Sequence, residues 1–360
     1  MKSAPSSKSK TEIRRSIRRG LLRWFRNHPR PMPWRSTRDP YRIWLAEILL
    51  QQTRVRSALP YYRKFLERFP DMESLARAPF RDVLRAWSGL GYYARARNLH
   101  AAAGEILRRF DGRIPDTRTA LLALPGIGPY TASALLSFIH GKREGVVDGN
   151  VARVLTRLFL VPGNPRSGPV LERLRGIADD LVPARRSRDF NLAMIDIGAA
   201  ICRPRAPRCP ECPLVTHCRA RAEDLRERYP EIPPRRKTER VGRLVAVMHR
   251  ADRLFLVRRP EKGLLGGMWE FPGYDSRAGA RGAGRLSREL TRRWKIPVRA
   301  AGEPAVAEHS ITYRSIRVHA FRATIPANAE IPGGEWIRGR DLARYPITTA
   351  TRKILERKKS

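Results

Sequence analysis

The amino-acid sequence predicts a mainly α domain followed by a smaller α+β domain. From Ile13 to about Arg226, apolar residues recur at three- and four-residue spacing, the period of an amphipathic helix, with Pro and Gly as punctuation. After the polar, Pro-rich stretch 227–240 (ERYPEIPPRRKTER), the period shortens to that of strands. At 360 residues the chain is long enough to bury two cores of ordinary size.

Taken in order, residues 1–12 are basic and polar, without the apolar segment of a secretory signal, and are expected to form a disordered arm. The helical domain, 13–226, contains its clearest helices at Tyr41–Val55, Leu75–Trp87, Ala94–Phe110, Thr131–His140 and Asn150–Leu160. Segment 227–240 is the expected linker. The second domain, 241–358, has expected strands at Val241–Met248, Arg253–Arg258 and Ile316–Thr324 and a helical tail at Thr348–Arg357. No repeat of solenoid period is present.

Charge narrows the class of partner. There are 73 Lys and Arg against 34 Asp and Glu, a formal charge of +39, and such a field favours polyanions. An Arg-rich proteome would produce the same excess, so charge supports nucleic acid without establishing it. The chain is 42% hydrophobic and has no apolar run near the roughly 20 residues of a membrane span, so no membrane partner is expected. All four cysteines lie between Cys202 and Cys218, a tight cluster that suggests metal ligation in a reducing, cytoplasmic compartment.

Within Ile43–Leu50 (IWLAEILL) the one charged residue is Glu47. On a helix it shares a stripe with Ile43 and Leu50, flanked by Trp44 and Ile48. A carboxylate there is poorly solvated, so its pKa should rise, which is the tuning a general acid needs. The alternative is a structural Glu paired with Arg54 or with an arginine upstream.

Leu124–Ala132 (LPGIGPYTA) has the form of a helix–hairpin–helix. Gly126 and Gly128 allow close backbone approach to a phosphate, and the helix behind them offers unpaired N–H groups. Such a hairpin binds the DNA backbone without reading sequence, although the same letters also make an ordinary helix–helix turn. Asp148 follows Gly128 by 20 residues, in VVDGNVARVL, where it either caps the next helix or serves chemistry. Together Glu47 and Asp148 supply the two carboxylates usual for cleaving a glycosidic bond, one an acid and the other a stabiliser of positive charge on the sugar.

Cys202, Cys209, Cys212 and Cys218 follow the spacing C-x6-C-x2-C-x5-C. Thiolates this close can wrap Zn²⁺ or an iron–sulfur cluster, and spacing alone leaves both open. Arg203, Arg205, Arg208 and Arg219 surround them, giving the loop 202–218 a positive face.

Six stretches, PMPWR (31–35), WLAEILLQQTRV (44–55), GLGYYARARNL (89–99), LPGIGPYTA (124–132), VDGNVARVL (147–155) and the four-cysteine loop, resemble the adenine DNA glycosylase (MutY) branch of the helix–hairpin–helix glycosylase superfamily. The resemblance implies one [4Fe–4S] cluster at the cysteines rather than zinc. It implies that Glu47 protonates adenine at N7, that Asp148 stabilises the oxocarbenium-like sugar, and that Tyr130 and Asn150 support them. By the same resemblance Gln52 and Tyr92 wedge the duplex from which the base is flipped. Arg30, Trp34, Arg35 and Leu50 match the wall of the base pocket. The family often places Gln or Glu where this chain has Leu192, so one hydrogen bond to the adenine edge is missing. The endonuclease III type forms a Schiff base with a hairpin lysine; here the matching position is Tyr130, which cannot do this.

Residues from about 241 to 358 resemble the Nudix-like domain of the same family, which implies recognition of 8-oxoguanine opposite the adenine. Arg288-Glu289-Leu290 is followed by Thr291, Arg292 and Arg293, with arginine where a Mg²⁺-binding glutamate would be expected, so no pyrophosphatase activity is anticipated. The recognition loop matches Ile311-Thr312-Tyr313, after His309, with Thr312 and Tyr313 as the contacts to the damaged base. A plain strand turn is the alternative.

The expected protein is therefore a cytoplasmic, nucleoid-associated and monomeric glycosylase that excises adenine from A:8-oxoguanine or A:G mispairs without cutting the strand. Two alternatives remain at this level. A non-catalytic DNA-binding protein has no need of a buried Glu47 or of Asp148. An endonuclease III-like glycosylase/lyase is opposed by Tyr130 and Glu47.

Overall fold

The computed structural model describes residues 9–234, 237–260, 265–277, 282–311 and 313–357. They pack as two units, Met1–Ala76 with Ala101–Pro234, and Arg77–His100 with Arg235–Ser360. Residues 77–100, which the sequence reading kept in the helical domain, thus group with the second unit.

The first helices are α1 (Lys10–Asn27), α2 (Pro40–Leu50), α3 (Val55–Arg68), α4 (Met72–Arg77), α5 (Phe80–Trp87) and α6 (Ala94–Phe110). They are followed by α7 (Arg118–Leu122), α8 (Pro129–Phe138), α9 (Gly149–Phe159), α10 (Gly168–Leu181), α11 (Ser187–Ala200) and α12 (Arg219–Ala222). Helix α1 begins inside the expected arm because Ser9 and Glu12 form a capping box: each side chain accepts from the other residue's backbone N–H. The single helix expected over 41–55 ends at Leu50. Gln52 takes a left-handed conformation (φ 55°), and a new helix starts at Val55. Likewise 75–87 is two helices, α4 and α5, because Pro79 cannot continue the first.

Helices α1, α9, α10 and α11 of the first unit close on a core that includes Leu21, Leu155, Leu174, Phe190 and Ile197. Three of the cysteines, Cys202, Cys212 and Cys218, pack against its edge. Ile43, Ala134, Phe138 and Val146 form a second cluster, on which Tyr130 and Leu192 lie. The loop between α8 and α9 is tied down by buried Asn191. Its Oδ1 accepts from Val146 N (3.1 Å), and its Nδ2 donates to Ser137 Oγ (2.9 Å) and the Glu144 carbonyl (2.8 Å).

The second unit is built on β1 (Glu239–Val247), β2 (His249–Arg250), β3 (Arg253–Arg258), β4 (Trp269–Glu270) and β5 (Gly273–Arg277). Next come α13 (Ala283–Trp294), β6 (Arg299–Ile311), β7 (Arg314–Thr324), β8 (Gly334–Arg338) and α14 (Thr349–Arg357). One mixed sheet runs β5-β1-β7-β6, with β1 and β7 parallel; β3 pairs with β2, β4 and β8 in the other. Strand β1 is buried on both faces, which explains its nearly unbroken apolar run. Leu244 and Ala246 meet Leu286 and Leu290 of α13, while Val245 and Val247 share a core with Ile354 of α14. Segment 77–100 is fastened to this unit by Arg352, which donates to Ser88 Oγ (3.0 Å), and by Arg97, which donates to the Gly266 carbonyl (3.3 Å).

Asn191→Ala should destabilise the chain by about 2–3 kcal/mol, because three buried polar partners lose their bonds. A thermal melt within a degree of the parent would contradict this account of the loop.

Candidate active site

Asp39 starts α2, its carboxylate accepting from Tyr41 N (2.9 Å) and Arg42 N (3.3 Å). Every residue from Ile43 to Leu49 is buried, so Glu47, at 8% exposure, has no route to bulk water except through the cavity it lines. It accepts a hydrogen bond from Tyr130 Oη (3.2 Å), not from Arg54. Burial pushes the Glu47 carboxyl up to about 7. The Tyr130 bond opposes the rise, the Asp148 charge adds to it, and the Arg35 charge works against it. Tyr130 itself is raised well above its ordinary range by burial and the Glu47 charge, so it remains a neutral donor.

Asp148 is both a helix cap and a wall of the same cavity. Its Oδ1 accepts from Asn150 N (2.9 Å) and Val151 N (2.7 Å), and its Oδ2 from Asn150 Nδ2 (2.9 Å). Burial raises its pKa, and these three bonds and the Arg153 charge oppose the rise. Capping and lining are compatible because a cap uses the carboxylate at the helix start, which here opens on the cavity. Arg153 donates to Asn150 Oδ1 (3.0 Å), the Gly198 carbonyl (2.7 Å) and the Cys202 carbonyl (2.7 Å), connecting the start of α9 to the cysteine loop.

The cavity holds about 650 Å³, the size of a small-molecule site. Its lining brings together Glu47, Tyr130, Asp148 and Asn150 with Arg30, Trp34, Arg35 and Leu50, and also includes Gln52, Gly128 and Leu192. Gly126 (φ 76°) turns the chain ahead of α8; a Cβ at Gly128 would meet nothing within 4 Å, so the approach to the helix start is open. Tyr92 belongs to the second unit, 46% exposed at a left-handed bend (φ 49°). Tyr313 lies between the paired ends of β6 and β7, beneath the Arg314 guanidinium; Thr312 lies outside the described residues.

Sequence reasoning passed over Asp196. It is fully buried and clamps two wall arginines: Arg30 Nη1 at 2.8 Å, and Arg35 through both nitrogens at 2.6 and 2.8 Å. The available signal was a lone acid in the apolar run FNLAMIDIGAAIC, the same signal that exposed Glu47. Gly198, two residues on, was also missed. A Cβ there would come within 2.6 Å of Asn150 Cβ and 2.8 Å of its carbonyl, so α11 touches the start of α9 directly.

The four cysteines, none of them in a disulfide, line one small cavity together with Arg157, Arg221 and Arg226. Burial pushes Cys212 up to about 12 and raises Cys218, so ionised sulfur there requires a bound cationic group. Buried Arg157, a second residue missed from sequence, donates to Cys202 Sγ (3.5 Å), the Arg203 carbonyl (2.7 Å) and the Pro204 carbonyl (3.0 Å). A soft, all-sulfur donor set with an arginine on one ligand fits an iron–sulfur cluster.

A hairpin-fed helix, two carboxylates lining one cavity and a cysteine loop on the first unit, followed by a two-sheet unit, define a base-excision DNA repair fold with a Nudix-type appendage. The family model for the HhH-GPD superfamily of base excision DNA repair proteins matches residues 45–179, and that for the NUDIX domain matches 243–357. The chain belongs to the adenine DNA glycosylase family. It is 30% identical over 399 aligned residues to the adenine DNA glycosylase of Homo sapiens, covering 94% of this chain and 73% of that one. It is 39% identical over 211 residues to that of Buchnera aphidicola subsp. Acyrthosiphon pisum (strain APS), covering 58% of this chain and 60% of the other. The solved structure of a thermostable thymine-DNA glycosylase superposes with a TM-score of 0.55 at 32% identity, over 60% of this chain and all of that one. Among the described residues no helix is long and apolar enough to cross a membrane.

Two substitutions test the geometry. Asp196→Asn should lower stability by about 3–5 kcal/mol, because it weakens a buried clamp on two arginines. Gly198→Ala should push Asn150 away from Asp148 and cut the single-turnover rate by at least about tenfold, the penalty of misplaced groups, with little loss of DNA affinity. An unchanged rate would mean that the close approach is incidental.

Proposed function

We propose that this adenine DNA glycosylase hydrolyses the N-glycosidic bond of adenine paired with 8-oxoguanine or guanine in duplex DNA, and that it does so without cutting the strand. The observation that carries the reading is Glu47, a buried carboxyl balanced near neutrality in a cavity that also contains Asp148. Adenine leaves poorly as an anion, so a proton must reach the base as the bond breaks. Glu47 supplies it, and its raised pKa keeps a useful fraction protonated at pH 7. Positive charge develops on the sugar, and ionised Asp148, fixed by three N–H donors, stabilises it. Tyr130 orients Glu47, and Asn150 orients Asp148. Water completes the hydrolysis. Among the described residues the cavity lining includes Tyr130 and no lysine, which supports hydrolysis rather than a Schiff-base route.

Leu192 offers the base only packing, so Arg30, Arg35 and Trp34 carry more of its recognition. The hairpin β6–β7 is our candidate for the contact to 8-oxoguanine, through Thr312 and Tyr313. Cys202, Cys209, Cys212 and Cys218 would hold one [4Fe–4S] cluster, which, when bound, supplies a cationic anchor for the loop beside Arg153. We expect the chain to work as a monomer on nucleoid DNA.

Single-turnover assays on A:8-oxoguanine, A:G, thymine glycol:A and undamaged duplexes, with alkali added separately, test the assignment. Adenine release from the first two, with strand breaks only after alkali, is expected; nicking without alkali would contradict the role of Tyr130. Glu47→Gln and Asp148→Asn should each slow release by about 10²-fold or more, the scale of a lost acid or charge stabiliser, while keeping duplex affinity.

The rate should also follow pH in a set direction. Glu47 works protonated, so activity should fall as pH rises through about 7. Asp148 works ionised, so its raised pKa lifts the acid limb above the ordinary carboxylate range. Glu47 ionises less readily folded than unfolded, so its presence lowers stability as pH rises through that range. Glu47→Gln should therefore abolish the alkaline limb and raise the melting temperature at pH 8. A lowered melting temperature at pH 8 would argue that Glu47 is a structural partner. Tyr313→Ala should reduce the preference for 8-oxoguanine over G. It is a cleaner probe than removing the chain after 235, because residues 77–100 pack with the second unit.

A further inference from the structure

The bend between α5 and α6 carries Tyr92 in a left-handed conformation (φ 49°), which a tyrosine keeps only where its surroundings hold it. Part of that support is local. Trp87 Nε1 donates to the Gly91 carbonyl (2.9 Å), and the Arg95 guanidinium faces the rings of both Trp87 and Tyr92, 5.0 and 5.5 Å from their centroids. Tyr92 itself is exposed, whereas the next residue, Tyr93, is buried.

The rest of the support comes from the far end of the chain. The Tyr93 hydroxyl accepts from Gly89 N (3.1 Å), which closes the bend, and it also bonds the side chains of Ser88 and Thr349. Ser88 Oγ donates to the Ile347 carbonyl (3.5 Å) and accepts from Arg352 (3.0 Å). The bend is therefore tied to the start of α14 at three points. That start is itself fixed. Trp269 N of β4 donates to the Pro346 carbonyl (2.8 Å), Thr348 N donates to the Trp269 carbonyl (3.0 Å), and Lys353 donates to the Glu308 carbonyl of β6 (2.7 Å). All of these residues belong to the second unit. Its own local bonds would be enough to close a bend that merely joined two helices. A side chain that parts stacked bases is different: it is pushed back by restacking and passes that load to whatever holds its backbone.

We propose that Tyr93 is a positioning residue whose hydroxyl, together with Ser88 and Arg352, locks the bend onto α14 and so holds Tyr92 rigid as it enters the duplex. The proposal rests on the reading of Tyr92 as the wedge and is independent of the acid–base roles of Glu47 and Asp148.

The test uses the full chain carrying Glu47→Gln, so that no base is lost, and duplexes with 2-aminopurine in place of adenine opposite 8-oxoguanine. Emission rises when the base leaves the stack, which reads flipping apart from chemistry. Tyr92→Ala should cut the flipped fraction at least about tenfold, the scale of a lost aromatic stack. Tyr93→Phe, which keeps the ring, and Ser88→Ala combined with Arg352→Ala should each cut it about three- to tenfold, the scale of lost hydrogen bonds, with duplex affinity kept within about twofold. Because Tyr93 acts through Tyr92, Tyr93→Phe should cause no further loss in a chain that already carries Tyr92→Ala. A general weakening of the fold would instead add its loss in both backgrounds, and that result would overturn the proposal. So would parental flipping by Tyr93→Phe and by the Ser88 and Arg352 double variant beside an impaired Tyr92→Ala, which would leave the wedge without this anchor. Parental flipping by Tyr92→Ala would sink the wedge reading itself, and the anchor with it.

Discussion

Gly198 lets α11 lie against the first turn of α9 with no side chain between them, and the candidate active site hangs on that contact. From this one helix Asn191 ties down the loop that leads to Asp148, Leu192 lines the cavity, and Asp196 clamps Arg30 and Arg35. The helix then runs directly into Cys202, whose carbonyl accepts from Arg153 while Arg153 holds Asn150. A methyl group at Gly198 would intrude on Asn150 backbone and side chain together. Close packing makes such a contact two-sided: whatever moves α11 also moves the groups that fix Asp148.

Three carboxylates in this unit, Glu47 and Asp196 buried and Asp148 half-buried, illustrate how compensation selects function. Asp196 has three N–H donors from two guanidiniums and serves to hold them. Asp148 has three N–H donors from the helix it starts, with the Arg153 charge nearby, and these offset much of the cost of its burial. Glu47 has one phenolic hydrogen bond and an unfavourable neighbour in Asp148. Its burial is therefore the least compensated, and the proton it keeps near neutrality is the one the chemistry uses. The same shortage of partners makes Glu47 a liability for stability, a common trade between activity and folding.

Much of this was legible from residue patterns. A single charge in IWLAEILL marked Glu47, and glycines before an apolar run marked the hairpin that starts α8. The shift from helical to strand period after 240 marked the second unit. Asp196 and Arg157 escaped notice because each is one charge among many in a chain with 73 basic and 34 acidic residues, and their partners lie far away in sequence. Arg157 meets carbonyls and a sulfur some 45 to 72 residues away. Helix ends also escaped: apolar periodicity continues past Leu50, yet the chain reverses at Gln52 in a left-handed bend that pattern alone does not reveal.

Sequence by itself determined the kind of chemistry, because burying an acid, turning on glycine and clustering thiols are local choices written in adjacent residues. The tertiary structure alone decided which groups meet. It gave Glu47 a tyrosine rather than Arg54 as its partner, made Asp148 cap and cavity wall at once, and joined residues 77–100 to the second unit. These are contacts between elements distant along the chain, fixed by close packing rather than by propensity, and no local pattern encodes them.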